Sequence, residues 1–389
     1  MRVHVDERSG LISTRHDCTW GFYIRARFSF NEHGRTLNGR ASTAQHEVRD
    51  MTTSPKNISR RGFLAGISMF GACATFDKFA PAAAAQTTDN GGTRLILLGT
   101  QGGPNFNEQR RECANAIVVD GRIYLVDCGY GALGALKASG LGFRGIGNVF
   151  LTHLHDDHVS DLAALLSHQW TDGRVDPNLV IGPYGTKRLV EAAIAFGTAN
   201  AEIRLVDEAR SVKPSSIFSG RDIQATAAPT EIFSDARVKV SSVENTHFPE
   251  STKKVVPYRS VSYHFDTRSR SITISGDTAF SQNLVRLARG SDVFVCETIQ
   301  LQLTRENFEK RVAAGAYADN PEGIWAHIAG THSNTEEVGR MAAEAGVRTL
   351  VLTHLVPGSL VDVKDDAYLD GVRKHFKGEV LVGRDLMAI

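Results

Sequence analysis

Thr152-His153-Leu154-His155-Asp156-Asp157-His158 puts four strong metal ligands within six residues, so any fold that accepts this run must gather cations at the end of a strand. The apolar stretch Asn148–Thr152 precedes it, and the run Leu162 to Leu166 that follows reads as a helix. The ligands then occupy the turn from strand to helix. At a strand end His153 and His155 point the same way, because side chains alternate with period two. Asp157 and His158 come where the chain turns into the helix and face a second ion beside the first. Neutral imidazole and carboxylate suit zinc, with manganese or iron as alternatives.

Three further segments offer a ligand directly after a strand-like run. His247 closes the alternating stretch that begins at Val238, Asp277 follows Ser271–Ser275 across Gly276, and His354 closes Thr349–Thr353. Gly276 permits a tight turn there. Each alone is an ordinary loop residue, but together they supply the count that a two-metal site needs.

These residues, with Leu95–Thr100 and Leu125–Gly129, resemble the metallo-β-lactamase-fold hydrolases, most closely the ribonuclease Z and arylsulfatase-like branch. The resemblance runs over nearly all of the chain after residue 93. It implies an α/β fold, a four-layer αββα sandwich with the metals at one edge between the sheets. It assigns His153, His155 and His247 to one ion and Asp157, His158 and His354 to the other, with Asp277 bridging both. Such a pair of divalent ions shares a hydroxide whose parent water has its pKa lowered toward roughly 7. Asp157 then has a second task, orienting that nucleophile or accepting its proton.

The segment Gly330–Glu337 adds a candidate for acid chemistry. Ser333 with Glu336 three residues on reads as a capping box, so a helix should begin here and end near Gly346. His332 then lies just outside a helix N-terminus, where the dipole and free amides attract anions. It is similar to the histidine of the ribonuclease Z branch, which implies contact with the scissile group and protonation of the leaving oxygen. Glu297, at the end of the buried strand Val293–Cys296, is placed to hold a ligand imidazole from behind. His168, His264 and His327 read as structural or solvated. Trp170, Phe106 and Trp325 read as pocket linings or as packing.

The N-terminus bears on where the protein works. Ser59-Arg60-Arg61-Gly62-Phe63-Leu64 resembles the twin-arginine export motif, and the apolar stretch Phe63–Thr75 that follows is about 13 residues long. That is too short to span a bilayer and reads as the core of a signal peptide, which leaves no permanent membrane anchor. Ala83 and Ala85 give a small-x-small cleavage site, so residues 51–85 form the signal peptide and the mature domain, 86–389, starts at Gln86. The twin-arginine translocase is then a partner, and the location is periplasmic or secreted. Cys73 ends a sequence like a lipobox, but Phe70 stands where an aliphatic residue belongs, which argues against lipidation. Residues 1–50 show no clean periodicity and read as a mis-called start or an unstructured extension, with Met51 as the initiator.

Charge narrows the substrate. Lys and Arg number 44 against 43 Asp and Glu, and since the leader is the more basic part, the mature domain is mildly acidic. A nucleic-acid enzyme carries a basic excess, so a small-molecule ester is expected and nucleic acid is not. The resemblance also implies a homodimer as a common state.

Cys113, Cys128 and Cys296 are the cysteines of the mature domain. With Asp120-Gly121 as a two-residue hairpin turn, Val119 pairs with Arg122 and Cys113 faces Cys128. A cross-strand disulfide is then conceivable in an oxidising compartment, although free buried thiols are favoured because hydrogen-bonded pairs stand far apart.

Strands are expected near 94–98, 113–119, 122–128, 148–152, 179–182, 237–243, 261–265, 271–275, 292–296, 349–353 and 379–383. Helices are expected near 131–139, 157–168, 185–196, 281–289, 334–345 and 364–376. Hydrolysis of a phosphodiester or sulfate ester is the leading expectation. A carboxyl ester or lactone hydrolase, a ribonuclease Z-like RNA endonuclease and a metal-binding protein without turnover are the alternatives.

Overall fold

The computed structural model describes residues 2–6, 11–15, 92–103, 105, 109–358 and 363–389. The twin-arginine motif, the apolar stretch, Cys73, the cleavage site and Phe106 lie outside the described residues. In the region expected to be structureless, β1 (Arg2–Asp6) pairs antiparallel with β2 (Leu11–Arg15). It belongs to a unit separate from the domain that follows.

That domain has two mixed sheets, each with its strands side by side in chain order. The first holds β3 (Thr93–Gly99), β4 (Ala114–Val119), β5 (Arg122–Val126), β6 (Ile146–Phe150), β7 (Asn178–Gly182) and β8 (Phe218–Asp222). The second holds β9 (Thr230–Ser234), β10 (Val238–Glu244), β11 (Val261–Thr267), β12 (Ser271–Ile274), β13 (Val293–Ile299), β14 (Thr349–Val356) and β15 (Glu379–Val382). Strand alternation sorts the side chains into layers. Leu95, Leu97, Ile117 and Val119 meet Val240, Phe265, Val293 and Val351 between the sheets. Their neighbours Ile96, Leu98, Ala116 and Val118 point outward under helices. Both faces being buried is why these strands read as unbroken apolar runs.

On the first sheet lie α1 (Ala132–Ala138), α3 (Leu162–Thr171), α4 (Thr186–Phe196) and α5 (Thr198–Asp207); on the second lie α8 (Gln282–Ala288), α11 (Thr335–Ala345) and α12 (Asp366–His375). The short α2 (Asp156–Val159), α6 (Pro214–Ile217) and α7 (Glu250–Lys253) occur in loops, and α9 (Leu301–Ala313) with α10 (Pro321–Thr331) forms an excursion between β13 and β14. The four-layer αββα sandwich is thus as expected. Truncating a fully buried leucine such as Leu97 to alanine typically costs about 2–5 kcal/mol, so the loops at the sheets' common edge rest on a stiff base. Among the described residues no helix is long and apolar enough to cross a membrane.

Some expectations need correction. The helix over 157–168 is broken in two, because the His158 carbonyl accepts from the Cys128 amide instead of continuing the helix, and Asp161 turns to the amides of Gly131 and Leu133. The elements β8, β9, α5, α9 and α10 were not expected. In the hairpin Val119 does pair with Arg122, but the ladder does not run on to Cys128. Asp127 adopts a left-handed backbone with φ of 62°, which turns the Cys128 amide to His158 and leaves the Cys113 carbonyl to the Gly129 amide. Cys113, Cys128 and Cys296 are free and buried.

Candidate metal centre

Four chain segments deliver ligand candidates to one cleft, each as a strand finishes. His153, His155, Asp157 and His158 follow β6, His247 follows β10, Asp277 follows β12, and His354 lies within β14 near its end. Asp277 owes its position to Gly276, whose φ is 58° and where a Cβ would lie 2.7 Å from that of Thr152. No other residue combines that backbone with that contact. His354 itself has φ of 45°, an uncommon conformation for a residue with a side chain.

Three ring nitrogens converge first. His155 Nδ1 lies 3.1 Å from His153 Nε2 and 3.2 Å from His247 Nε2. The network sets two of the tautomers. Thr152 Oγ1 gives its hydrogen to Asp127 Oδ2, so it accepts from His153 Nδ1, and His247 Nδ1 donates to the Thr331 carbonyl. Both Nε2 atoms therefore present lone pairs, and His155 Nδ1 can donate to only one of them. A cation between the three resolves the conflict. Tetrahedral zinc with bonds of about 2.0–2.1 Å has ligand–ligand edges of about 3.3–3.4 Å, close to the spacings observed.

The second set is charged. His354 Nε2 is 3.2 Å from both Asp157 Oδ2 and Asp277 Oδ2, and His158 Nε2 is 3.1 Å from Asp277 Oδ1. Asp277 Oδ2 also lies 3.8 Å from His153 Nε2, so this carboxylate reaches both sets. His158 Nδ1 donates to Asp127 Oδ2 at 2.8 Å, and that carboxylate is pinned by the Thr152 amide as well. Although they stand 3.1 Å apart, His158 Nε2 and Asp277 Oδ1 are not aligned as a hydrogen bond, and neither has another partner among the described residues. Orphaned buried atoms of this kind call for a ligand, and the donor set fits divalent zinc, manganese or iron.

The two sets titrate in opposite directions. Burial lowers the pKa values of His153, His155 and His247 below the ordinary 6.5 and keeps these rings neutral. Burial opposes charge on His158 and His354 too, but Asp277 and its carboxylate neighbours outweigh it, and both are raised well above 6.5. Asp157 is held well below the usual carboxylate range because His158 and His354 overcome its desolvation.

His332 lies beside the cluster, its ring stacked on that of His354 at 5.6 Å between centroids. Its Nδ1 is 3.0 Å and 3.1 Å from the Glu297 oxygens, which leaves Nε2 for a ligand. Although burial disfavours the imidazolium, Glu297 prevails and raises the pKa. Glu297 was expected to hold a ligand imidazole. It lies 3.8 Å from Nδ1 of the candidate ligand His354, while its hydrogen bonds go to His332 and the Thr278 amide. The capping box also falls one residue later than expected. Asn334 accepts from the amides of Glu336 and Glu337, and Glu337 returns to the Asn334 amide. The Ser333 side chain is instead turned toward the Thr278 carbonyl, to which its hydroxyl donates. The helix ends at Gly346 as expected.

A cavity of about 340 Å³ opens over the cluster, lined among others by Asp157, Asp277, His332, His354, His327 and Arg311. His327 is thus no bystander. Its ring lies 5.2 Å from that of His247, and burial with the neighbouring His332 lowers its pKa to about 4. His168 packs on Phe143 and His264 bonds Thr273, as structural residues should. Trp170 is buried with its indole N–H on the Val212 carbonyl, while Trp325 packs on Arg305 and Phe308 in a different cavity. Asp127 and Arg311 were not foreseen as contributors. The strand-end signal that identified Asp277 is also present at Asp127.

Comparison with known proteins agrees with this architecture. Residues 93–310 match the family model of the anti-Pycsar protein Apyc1. Ribonuclease Z of Mycobacterium avium (strain 104) is 30% identical over 296 residues, which covers 75% of this chain and 96% of the relative. Ribonuclease Z of Mycobacterium tuberculosis (strain H37Rv) is 29% identical over 295 residues, covering 75% and 96%. Among solved structures, the short form of human tRNase Z superposes with a TM-score of 0.53 at 20% identity, covering 76% of this chain and 98% of that one. The metallo-β-lactamase fold protein YhfI from Bacillus subtilis gives 0.52 at 17% identity, covering 76% and 99%. With the His and Asp cluster able to bind metal at its centre, the chain belongs to the Apyc1 family and is a metallo-hydrolase of the metallo-β-lactamase fold with ribonuclease Z as its curated homologues.

Proposed function

We propose that this chain is an exported hydrolase that cleaves a phosphodiester or sulfate ester of a small molecule, using two divalent ions, zinc before manganese or iron. His153, His155 and His247 would hold one ion and Asp157, His158 and His354 the other, with Asp277 shared. When bound, the ions supply a nucleophile at neutral pH and polarise the group under attack. The observation that carries the reading is His332, fastened through Nδ1 to Glu297 beside the cluster. Its raised pKa favours the form that can pass the Nε2 proton to a leaving oxygen. Asp157 Oδ2 accepts from the Gly103 amide at 2.9 Å, which leaves Oδ1 to orient the nucleophile or take its proton. The twin arginines at Arg60 and Arg61 support export.

One feature favours the second reading, a carboxyl ester or lactone. A groove of about 460 Å³ beside His155, lined by Leu154, Leu189, Phe248, Val256 and Tyr258, suits an apolar group. The relatives named ribonuclease Z favour RNA, whereas the acidic balance of the domain favours a small ester.

The test is to recover the protein from the exported fraction, sequence its N-terminus and assay it with zinc or manganese. The substrates are bis-p-nitrophenyl phosphate, p-nitrophenyl sulfate, p-nitrophenyl butyrate and a homoserine lactone. A start at Gln86 and turnover of an anionic ester are expected. Preference for the carbonyl substrates would overturn the chemistry, and an unprocessed cytoplasmic chain would overturn export.

A further inference from the structure

The excursion α9–α10 brings one cation into the cavity over the cluster. Arg311, in the last turn of α9, lines that cavity together with Asp157, Asp277, His332 and His354. Its Nε is buried and has no hydrogen-bond partner among the described residues. No carboxylate stands at helical spacing from it, since the residues four before and four after are Asn307 and Gly315. Arg305 on the same helix has Glu309 at that spacing and pairs with it. Of the acids that line the cavity, Asp157 and Asp277 are committed to His354, and Asp156 forms no ion pair with Arg311 among the described residues; Glu297, behind the lining, is committed to His332.

The guanidinium is nevertheless positioned. It lies 5.3 Å from the centre of the Tyr317 ring, and Tyr317 stacks on Phe308 at 5.2 Å and 11°. Asn105 Nδ2 donates to the Tyr317 hydroxyl at 3.4 Å. Tyr317 has φ of 60°, a backbone state rare for an aromatic residue and kept where the surroundings over-determine it. A cation held by packing rather than by an anion keeps its donor fork free. A planar fork matches two oxygens of a tetrahedral anion, which a neutral ester does not offer in its ground state.

We propose that Arg311 is the oxyanion-recognition residue of this site, gripping the non-bridging oxygens of a tetrahedral ester that lies over the His and Asp cluster. This rests on the ester-hydrolase reading above and makes the cavity selective for anionic substrates. The grip acts in the bound ground state and in the transition state alike, so its loss shows mainly in KM.

The experiment compares Arg311→Met and Arg311→Lys with the wild-type full chain after metal loading, with ion content and melting temperature measured for each. Arg311→Met should raise KM for bis-p-nitrophenyl phosphate about 10-fold or more with kcat little changed, and shift selectivity toward p-nitrophenyl butyrate by the same factor. Arg311→Lys should recover part of the loss. Calorimetric titration with inorganic phosphate and with inorganic sulfate gives a readout independent of turnover and separates the two oxyanion sources. Affinity for at least one should fall about 10-fold in Arg311→Met. Unchanged affinity for both anions, with unchanged KM and wild-type ion content, would overturn the assignment. A wild-type protein that turns over neither anionic ester would overturn the proposed function, while the titrations would still report on Arg311.

Discussion

The trio His153, His155 and His247 and the quartet Asp157, His158, Asp277 and His354 share one cleft, yet only the quartet contains carboxylates. Burial keeps the trio neutral, so a cation bound there would rest on lone pairs alone and displace few protons. The quartet without an ion is a proton-bound ion-pair cluster, with His158 and His354 raised by Asp277. A cation gains more Coulomb energy there but must expel those protons, so its affinity depends more steeply on pH. On the two-ion proposal, the two sets would therefore not load alike.

Asp277→Ala offers the largest break in this contrast, because the one carboxylate that reaches both sets disappears. We expect both ions to be lost by elemental analysis, and activity to fall by on the order of 10³-fold or more. A variant that kept two ions per chain would remove Asp277 from the ligand set. Asp127→Asn is narrower. It contacts the His158 ring directly and His153 only through Thr152, so the quartet should bind its ion about 10- to 100-fold more weakly and the trio should weaken less. Equal weakening of both sites in competition with a graded chelator would erase the distinction.

The smallest expected effect concerns stability without metal. His247 has a lowered pKa, so as pH falls below 6.5 the unfolded chain takes up the proton first and the fold loses stability. His354 has a raised pKa, so its contribution is complete below 6.5 and fades as pH rises through the folded value. In chelated protein, His247→Gln should therefore gain melting temperature on acidification relative to wild type and His354→Gln should lose it, each by on the order of a few degrees. Shifts of the same sign would contradict the assigned protonation states.

The residues with strong local signals were readable from the chain alone. His153 to His158, His247, Asp277 and His354 follow apolar stretches with strand periodicity, and that pattern needs no tertiary knowledge. By contrast α9 buries only Thr304 and Phe308, and α10 only Thr331, so neither carries the apolar stripe that marks a helix. Consequently Arg311 went unnoticed. The strands β8 and β9 are short and largely exposed at the sheet edges, with a glycine in one. Partnerships across the fold were equally hidden. Glu297 and His332 each stood out, but their contact spans 35 residues and depends on how β13 meets the turn before α11. The capping box read on Ser333 and Glu336 falls on Asn334 and Glu337, because the Ser333 side chain is turned toward the distant Thr278 carbonyl.

The strand-end placement of the ligands has a mechanical side. Asp157 and His354 are 197 residues apart in the chain, and His155 and His247 are 92 apart. An ion held between such groups ties one β-sheet to the other and closes loops comparable to the largest a disulfide could span, which lowers the entropy of the unfolded chain in the same sense. The buried cysteines of this domain form no such link. Metal loading would then act as its covalent-like fastening, and a chain that lost its ions would be easier prey for proteases before its missing activity was noticed.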